Sequence, residues 1–269
     1  FICPGFINTH CHLELSFLKG KLQEKAGIAG FIKELIATRY RFSSEKMLQA
    51  IQGAEQEMLR NGIVAVGDIS NDNYSFPQKS KGNLHYHTFI ELLAIRPDKA
   101  DTEFERGIKL LAEYKSVNPS GSCSFALHAP YTASPSLIKK TVEHVHSNGS
   151  ILSIHNQESQ AEGDFFTGSI SAMKEVFDFA GINIDFWKPT GINSLRSTLP
   201  HFPHHPRLLL VHNTFTTKDY IRRANKLYKP QFSILEHQTS NIKRQTTNDK
   251  RPASNALYWC FCPNANLFI

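Results

Sequence analysis

The chain alternates short apolar runs with amphipathic stretches from end to end, and this alternation constrains the fold more than any other feature of the 269 residues. Some runs are apolar at every position, as in the LLLV of residues 208–211, which is typical of parallel strands covered on both faces. The predicted strands are residues 2–9, 63–70, 84–95, 124–131, 151–158, 208–215 and 257–264. Strands that alternate with helices predict a parallel α/β fold.

Helices are predicted between these strands. The segment 44–61 has apolar residues at helical spacing and is followed by Gly62, while Ser134 and Pro135 open a helix that Gly149 ends. The other predicted helices are residues 27–39, 102–115, 169–180 and 217–227, and residues 186–206 are predicted to form a loop. A (β/α) barrel and a doubly wound sheet both fit this pattern, although a closed barrel needs eight strands and seven are found.

Composition narrows the class of protein. With 41% hydrophobic and 20% charged residues, the chain is not collagen-like, coiled-coil or wholly disordered. It contains no run of about 18 apolar residues, which argues against a transmembrane helix. Five cysteines without a CxxC pair, and a first segment without the features of a signal peptide, predict a cytoplasmic protein.

The positive charge is concentrated in one stretch. Residues 218–251 hold nine basic and three acidic side chains, and within them begins the segment 235–254, which is polar and lacks apolar periodicity. We expect 235–254 to be a flexible insertion in a single domain that spans residues 1–269. A non-catalytic module that binds nucleic acid through this stretch is the rival interpretation, but few aromatic residues are interleaved with the charges.

Histidines cluster at the carboxyl ends of the predicted strands. His10 and His12 end the first strand and share one face, because alternate residues of a strand point the same way. His128, His155 and His212 fall at the ends of the fourth, fifth and sixth strands. In a barrel these ends meet at one rim, so the pattern predicts a metal site.

Two carboxylates follow the fifth strand. Glu158 stands three residues after His155, where a carboxylate beside a metal-bound water would act as a proton shuttle in hydrolysis. Glu162 is the second candidate for this role, and its greater distance from the strand end favours contact with the substrate. Motifs of other enzyme classes are absent, including GxSxG, the P-loop, GxGxxG and HExxH.

Five ordered motifs resemble strand ends of the amidohydrolase superfamily: PGFINTHCHLE (4–14), HAPYTAS (128–134), IHNQESQAE (154–162), LLVHNTF (209–215) and FCPNANL (261–267). The most similar branch contains the deaminases of S-adenosylhomocysteine, methylthioadenosine and aminofutalosine. The resemblance implies a TIM-type barrel and one divalent metal ion, zinc or iron, held by His10, His12 and His155. It assigns Glu158 as general acid and base, His212 as the group that polarises the metal-bound water, and His128 as a substrate contact.

The chain also departs from the family pattern. The aspartate ligand expected from an eighth strand, the flanking β-sandwich and a substrate-contacting glutamate after the first strand have no counterparts, and Ala265 stands where serine is usual. The fourth strand lacks the lysine that bridges two metals, which favours a mononuclear site. We therefore expect a truncated barrel, with strands 1–7 present and strand 8 missing.

The resemblance predicts hydrolytic deamination of an adenine-type nucleoside derivative by a metal-bound hydroxide. Dechlorination or amide hydrolysis of another ring substrate uses the same groups and stays open, as does a catalytically inactive fragment. The expected partner is a small molecule, with no membrane contact and no nucleic acid. A homodimer is left open.

Overall fold

Seven parallel strands form one sheet and follow each other in chain order. The computed structural model describes residues 2–202, 207–228 and 257–269. The strands are β1 (Phe6–Cys11), β2 (Ile63–Ser70), β3 (His85–Leu92), β4 (Ser122–Leu127), β5 (Ile151–Asn156), β6 (Arg207–His212) and β7 (Leu257–Cys260). Each of the seven predicted strands is present, with its ends moved by up to four residues.

Helices connect the strands. Those in the described residues are α1 (Gly27–Thr38), α2 (Ser44–Arg60), α3 (Phe76–Lys79), α4 (Ala100–Val117), α5 (Pro135–Asn148), α6 (Gln160–Thr167), α7 (Met173–Phe179), α8 (Ser194–Thr198), α9 (Lys218–Leu227) and α10 (Pro263–Phe268). Helix α5 begins and ends at the residues that the sequence predicts. The Ser134 hydroxyl accepts from the Leu137 N–H at its start, and Gly149 ends it in a left-handed conformation with φ 67°.

Two sequence predictions were wrong in detail. Residues 186–206 were expected to form a loop, but Asn193 caps α8 by accepting from the Arg196 N–H. The seventh strand was expected to reach residue 264, but it ends at Cys260 because Pro263 begins α10. Proline is favoured at the first position of a helix and cannot donate to a strand ladder. The predicted insertion 235–254 lies outside the described residues.

The sheet curves into a nearly closed (β/α) barrel, which confirms the predicted fold class. Successive strands pair in parallel from β1 to β7, and among the described residues no ladder joins β7 to β1. The two ends of the sheet still approach each other, since the Thr9 hydroxyl of β1 lies 3.1 Å from Cys260 Sγ of β7. The carboxyl ends of all seven strands therefore surround one mouth.

The core has two layers, as the alternation of strand side chains requires. On β6, Leu208 and Leu210 pack outward in the cluster between sheet and helices, whereas Leu209 and Val211 pack inside the barrel. All four are buried, which explains why this strand is apolar at consecutive positions. Within the described ranges, no helix has the length and apolarity needed to cross a membrane.

Candidate metal centre and active site

Three histidines from opposite sides of the barrel converge at its mouth. His10 and His12 come from the end of β1, and His155 is the fifth of the six residues of β5. The His155 Nε2 lies 3.2 Å from the His12 Nε2 and 3.3 Å from the His10 Nε2. Among the described residues, these three form one of the groups whose ligand atoms lie close enough to share a metal ion.

The hydrogen bonding of His155 fixes which of its nitrogens faces the other two rings. Its Nδ1 lies 2.6 Å from the backbone carbonyl of His128, and a carbonyl oxygen only accepts, so Nδ1 carries the proton. Burial lowers the pKa of His155 well below the usual range, with further lowering from neighbouring histidines, so the ring is neutral. Its Nε2 therefore presents a lone pair to His10 and His12.

The triad fits a tetrahedral divalent cation. Burial lowers the pKa of His12 to about 3 and that of His10 well below the ordinary value, so both are neutral imidazoles, the form that binds metals. Zinc–nitrogen bonds of roughly 2.0–2.1 Å place two ligands of a tetrahedron about 3.3–3.4 Å apart. The Nε2 separations of 3.2 and 3.3 Å are close to that value.

Glu158 and His212 form a hydrogen-bonded pair beside the triad. The His212 Nε2 lies 3.2 Å from Glu158 Oε1, and its Nδ1 lies 2.8 Å from the Asn266 side-chain oxygen. Because that oxygen accepts, Nδ1 carries the proton and Nε2 faces the carboxyl group as a lone pair. Burial raises the pKa of Glu158 to about 7, with a contribution from Glu91, while burial lowers the pKa of His212. When Glu158 is protonated, it can therefore donate to the Nε2 lone pair of His212.

The backbone around this pair is strained. Gln157, His212 and Asn213 have φ values of 47°, 74° and 57°, a left-handed region that side-chain-bearing residues rarely adopt. Gln157 directly precedes Glu158, His212 is the last residue of β6, and Asn213 follows it. Hydrogen bonds hold the bends, since the Asn213 N–H donates to the Asn156 carbonyl and the Phe215 N–H donates to the Gln157 carbonyl. The bends at the ends of β5 and β6 thus support each other.

His128 and Glu162 differ in their relation to the cavity. His128 lines it, and its Nδ1 is occupied by the Thr132 hydroxyl at 2.8 Å, which leaves Nε2 for a ligand. Glu162 does not contribute to the lining. Its two carboxylate oxygens accept from the Gln157 and Glu158 N–H groups at 3.0 and 3.1 Å. The structure therefore places Glu162 behind Glu158 as a support for its backbone, rather than toward the substrate as the sequence suggested.

The cavity in front of the triad has about 780 Å³ and two unlike walls. A volume of this size suits a small-molecule ligand. The polar floor holds the histidines, Glu158 and Glu91. The apolar wall comes from α1 and α7 and includes Ile28, Phe31, Ile32, Leu35, Met173, Val176 and Phe177. The cavity can thus take a ligand with one polar end and one apolar end.

Sequence reasoning missed Glu91, at the carboxyl end of β3. Its side chain is buried and lines the cavity, with Oε1 3.8 Å from the His155 Nδ1. Burial raises its pKa to about 7, although a hydrogen bond from Asn71 opposes the shift. The alternation of strand side chains, which located the histidines, could also have located Glu91, because it lies two residues after Phe89 and therefore on the same face of β3. Arg39 also lines the cavity, 3.7 Å from the buried Glu14.

Two curated relatives of the chain are deaminases. The aminodeoxyfutalosine deaminase of Nitratiruptor sp. is 27% identical over 229 residues, which cover 82% of this chain and 53% of that protein. The 5-methylthioadenosine/S-adenosylhomocysteine deaminase of Natronomonas pharaonis is 25% identical over 171 residues, covering 61% of this chain and 39% of that protein. The chain thus spans about half or less of the length of these relatives.

Solved structures share the fold. The Helicobacter pylori aminofutalosine deaminase in complex with methylthio-coformycin superposes with a TM-score of 0.75 at 20% identity, covering 99% of this chain and 57% of that one. A mutant of the atrazine chlorohydrolase of Arthrobacter aurescens TC1, complexed with zinc and atraton, gives 0.62 at 15% identity, covering 83% and 52%. The sequence profile of the amidohydrolase family matches residues 1–255. Profile, barrel and histidine placement together show that the chain belongs to the amidohydrolase family.

Proposed function

We propose that the protein is a metal-dependent hydrolase that deaminates an adenine-type nucleoside derivative. The observation that carries this proposal is the convergence of three neutral imidazoles, with the Nε2 atoms of His12 and His10 3.2 and 3.3 Å from that of His155, next to the Glu158–His212 pair. The deaminase relatives support the adenine-type substrate. The apolar wall of the cavity supports a derivative with an apolar substituent at its far end.

The triad would hold one divalent metal ion, with zinc favoured because the Arthrobacter neighbour was crystallised with it. His10, His12 and His155 are the ligands in this proposal. Such an ion supplies a Lewis acid that lowers the pKa of a water molecule to about 7. The second group needed for hydrolysis is a base that takes the water's proton, and the protein itself provides it.

Glu158 moves the protons. As a carboxylate it accepts a proton from the attacking water, and as an acid it delivers that proton to a ring nitrogen of the substrate. A second proton passes by the same carboxyl group to the leaving amine, which departs as ammonia while the ring carbon keeps the water oxygen. Burial lowers the pKa of His212 and favours its neutral form, with the Nδ1 proton donated to Asn266, and its Nε2 accepts from Glu158 whenever that carboxyl group is protonated.

His128 binds the substrate in this scheme. Thr132 accepts from or donates to its Nδ1, so the free Nε2 is directed to the cavity. Burial lowers the pKa of His128 to about 4, which keeps the ring neutral and avoids a positive charge beside the metal site. Substitution of His128 should therefore affect substrate binding more than metal content.

Metal content and product identity test the proposal together. The purified protein should contain about one metal ion per chain by mass spectrometry, and His12→Ala should lose it, while His85→Ala, an exposed histidine at the start of β3, should retain it. The metal-loaded protein should release ammonia from adenosine derivatives. A folded wild-type protein that binds no metal, or a loaded one that releases no ammonia from any of them, would refute the proposal.

Dechlorination of a ring is the second candidate, favoured by the zinc-containing chlorohydrolase neighbour. The same base and the same water would serve it, with chloride as the leaving group. Release of chloride rather than ammonia from paired amino- and chloro-substituted rings would select this candidate.

The proposal also covers the cellular location of the protein and its binding partner. We infer a cytoplasmic location and a small-molecule partner, supported by five cysteines that all lie in described segments and are all free thiols. A homodimer and the absence of nucleic-acid binding stay predictions from the sequence.

A further inference from the structure

A buried ion pair lies behind the metal-binding end of β1. Lys79, on α3, has its Nζ 2.5 Å from Asp68 Oδ2, and both side chains are 0% exposed. The same ammonium group donates to the hydroxyls of Ser70 at 2.8 Å and Thr88 at 3.1 Å. The ammonium group thus pairs with one carboxylate and donates to two hydroxyl groups.

Asp68 uses its second oxygen to hold the chain on both sides of His12. Oδ1 accepts from the Leu13 backbone N–H at 2.7 Å and from the Cys11 thiol at 3.2 Å. The residues before and after a candidate metal ligand therefore share one carboxylate oxygen.

The carboxylate acts where the strand ladder is irregular. In the β1–β2 pairing, Asn8 is opposite Val66 and Cys11 is opposite Asp68, so β1 has one residue more than β2 between these positions. This is a bulge at residues 9–10, so His10 itself lies in it. The regular strand pairing is interrupted at the bulge. Just beyond it, the hydrogen bonds from Cys11 and Leu13 to Asp68 connect this segment to β2 again.

A contribution to stability does not by itself explain why the buried Asp68–Lys79 ion pair is present. Taking two charges out of water costs several kcal/mol per ion, and an apolar pair of similar volume is often as stable. What an apolar pair cannot provide is a carboxylate oxygen that accepts two hydrogen bonds from the segment carrying His12.

We propose that Asp68 is a positioning residue for the metal site, held in place by Lys79, and that it sets the separation of the His12 and His155 nitrogens. The proposal rests on the proposed function, because it requires that the histidine triad binds a metal. Asp68 touches neither cavity nor metal ligands with its side chain and acts through the backbone of Leu13 and the thiol of Cys11.

Two double variants separate positioning from general stability. Asp68→Leu/Lys79→Met replaces the pair by apolar side chains and removes the acceptor, whereas Asp68→Asn/Lys79→Met is also uncharged but keeps an amide oxygen for the Leu13 N–H. Glu55→Leu is the control. Glu55 is a fully buried carboxylate that accepts from Gln78, Asn83 and Tyr86, none of which belongs to β1.

The readouts are Zn²⁺ affinity, by competition with a chromophoric chelator, the visible spectrum of the Co²⁺-loaded protein, and the melting temperature without metal. We expect Asp68→Leu/Lys79→Met to lose at least about tenfold in Zn²⁺ affinity and to change the Co²⁺ spectrum. The asparagine double variant should recover most of the affinity. Glu55→Leu should lower the melting temperature and leave both metal readouts unchanged.

Wild-type Zn²⁺ affinity and Co²⁺ spectrum in the leucine double variant would overturn the inference, as would equal losses in Glu55→Leu. If the leucine double variant does not fold, Cys11→Ala decides, because it removes one hydrogen bond to Asp68 and leaves the ion pair intact. It should weaken Zn²⁺ binding about two- to tenfold, and no change would overturn the inference. Failure of the wild-type protein to bind Zn²⁺ would instead refute the proposed function.

Discussion

The raised pKa of Glu158 leads to a quantitative expectation for the pH dependence of turnover. Glu158 serves as the base only when ionised, so activity should rise with pH and level off above its pKa. With a pKa of about 7, roughly 3% of this group is ionised at pH 5.5, against roughly 90% at the ordinary value of 4.5. Turnover at pH 5.5 should thus fall about 30-fold below the plateau.

A bound cation attracts the carboxylate and lowers this pKa, so 30-fold is the upper limit of the fall. The assay is kcat/KM for ammonia release between pH 5 and 9, with metal content measured at each pH, so that loss of the ion is not mistaken for protonation of Glu158. The expected midpoint lies above 4.5 and does not exceed about 7.

The variant Glu158→Gln should remove both the activity and its acidic limb. Loss of the acid–base group should lower kcat by about 100- to 10,000-fold while the metal content stays at the wild-type level. The matched control is Glu175→Gln, an exposed glutamate paired with Lys33, which should behave like the wild type. Two results would show that Glu158 is not the base. One is wild-type turnover in Glu158→Gln, and the other is a pH profile of the metal-loaded protein in which activity falls on the acidic side with a midpoint at or below pH 4.5.

Two further predictions concern the support of the site. A Cβ on Gly67 would lie 2.5 Å from the Thr9 carbonyl oxygen, so Gly67→Ala should reduce the free energy of unfolding by about 1–3 kcal/mol. Gly53→Ala, in open space within α2, should instead raise the free energy of unfolding by up to about 1 kcal/mol. Chemical denaturation measures both values, and the opposite ranking of the two variants would contradict the geometry. Asn266→Ala should lower kcat about ten- to hundredfold at unchanged metal content, because His212 loses the acceptor that fixes its proton. The control Asn225→Ala, an exposed residue of α9 that does not line the cavity, should leave kcat unchanged. Equal kcat in both variants would count against this role of Asn266.

Much of the candidate site could be predicted because each of its histidines lies at the end of a periodic strand. In a parallel barrel the order of the strands and the alternation of side chains determine which residues reach the mouth. The sequence thus located His10, His12, His155 and His212 without any knowledge of distances. The structure places the Nε2 atoms of His12 and His10 within 3.3 Å of the His155 Nε2 and brings His212 into contact with Glu158.

Glu162 shows where sequence reasoning stopped. Glu162 lies in the first turn of α6, three residues after Ser159, and its backbone N–H donates to the Ser159 hydroxyl. At this end of a helix the backbone N–H groups have no partners within the helix, so a carboxylate there can accept from them. That local preference turns it toward the Gln157 and Glu158 backbone and away from the cavity. A linear distance from the strand end could not reveal this direction.

The sequence by itself indicated the seven parallel strands and the histidines that meet at the mouth of the barrel, because these depend on local periodicity and on a fold in which strand ends converge. Only the tertiary structure decided which distant groups support them. Asp68 is 57 residues from Cys11 along the chain, and the β1 bulge that brings its carboxylate between Cys11 and Leu13 leaves no periodic trace. The same holds for Glu91 beside His155, whose raised pKa results from burial that arises only when the barrel closes.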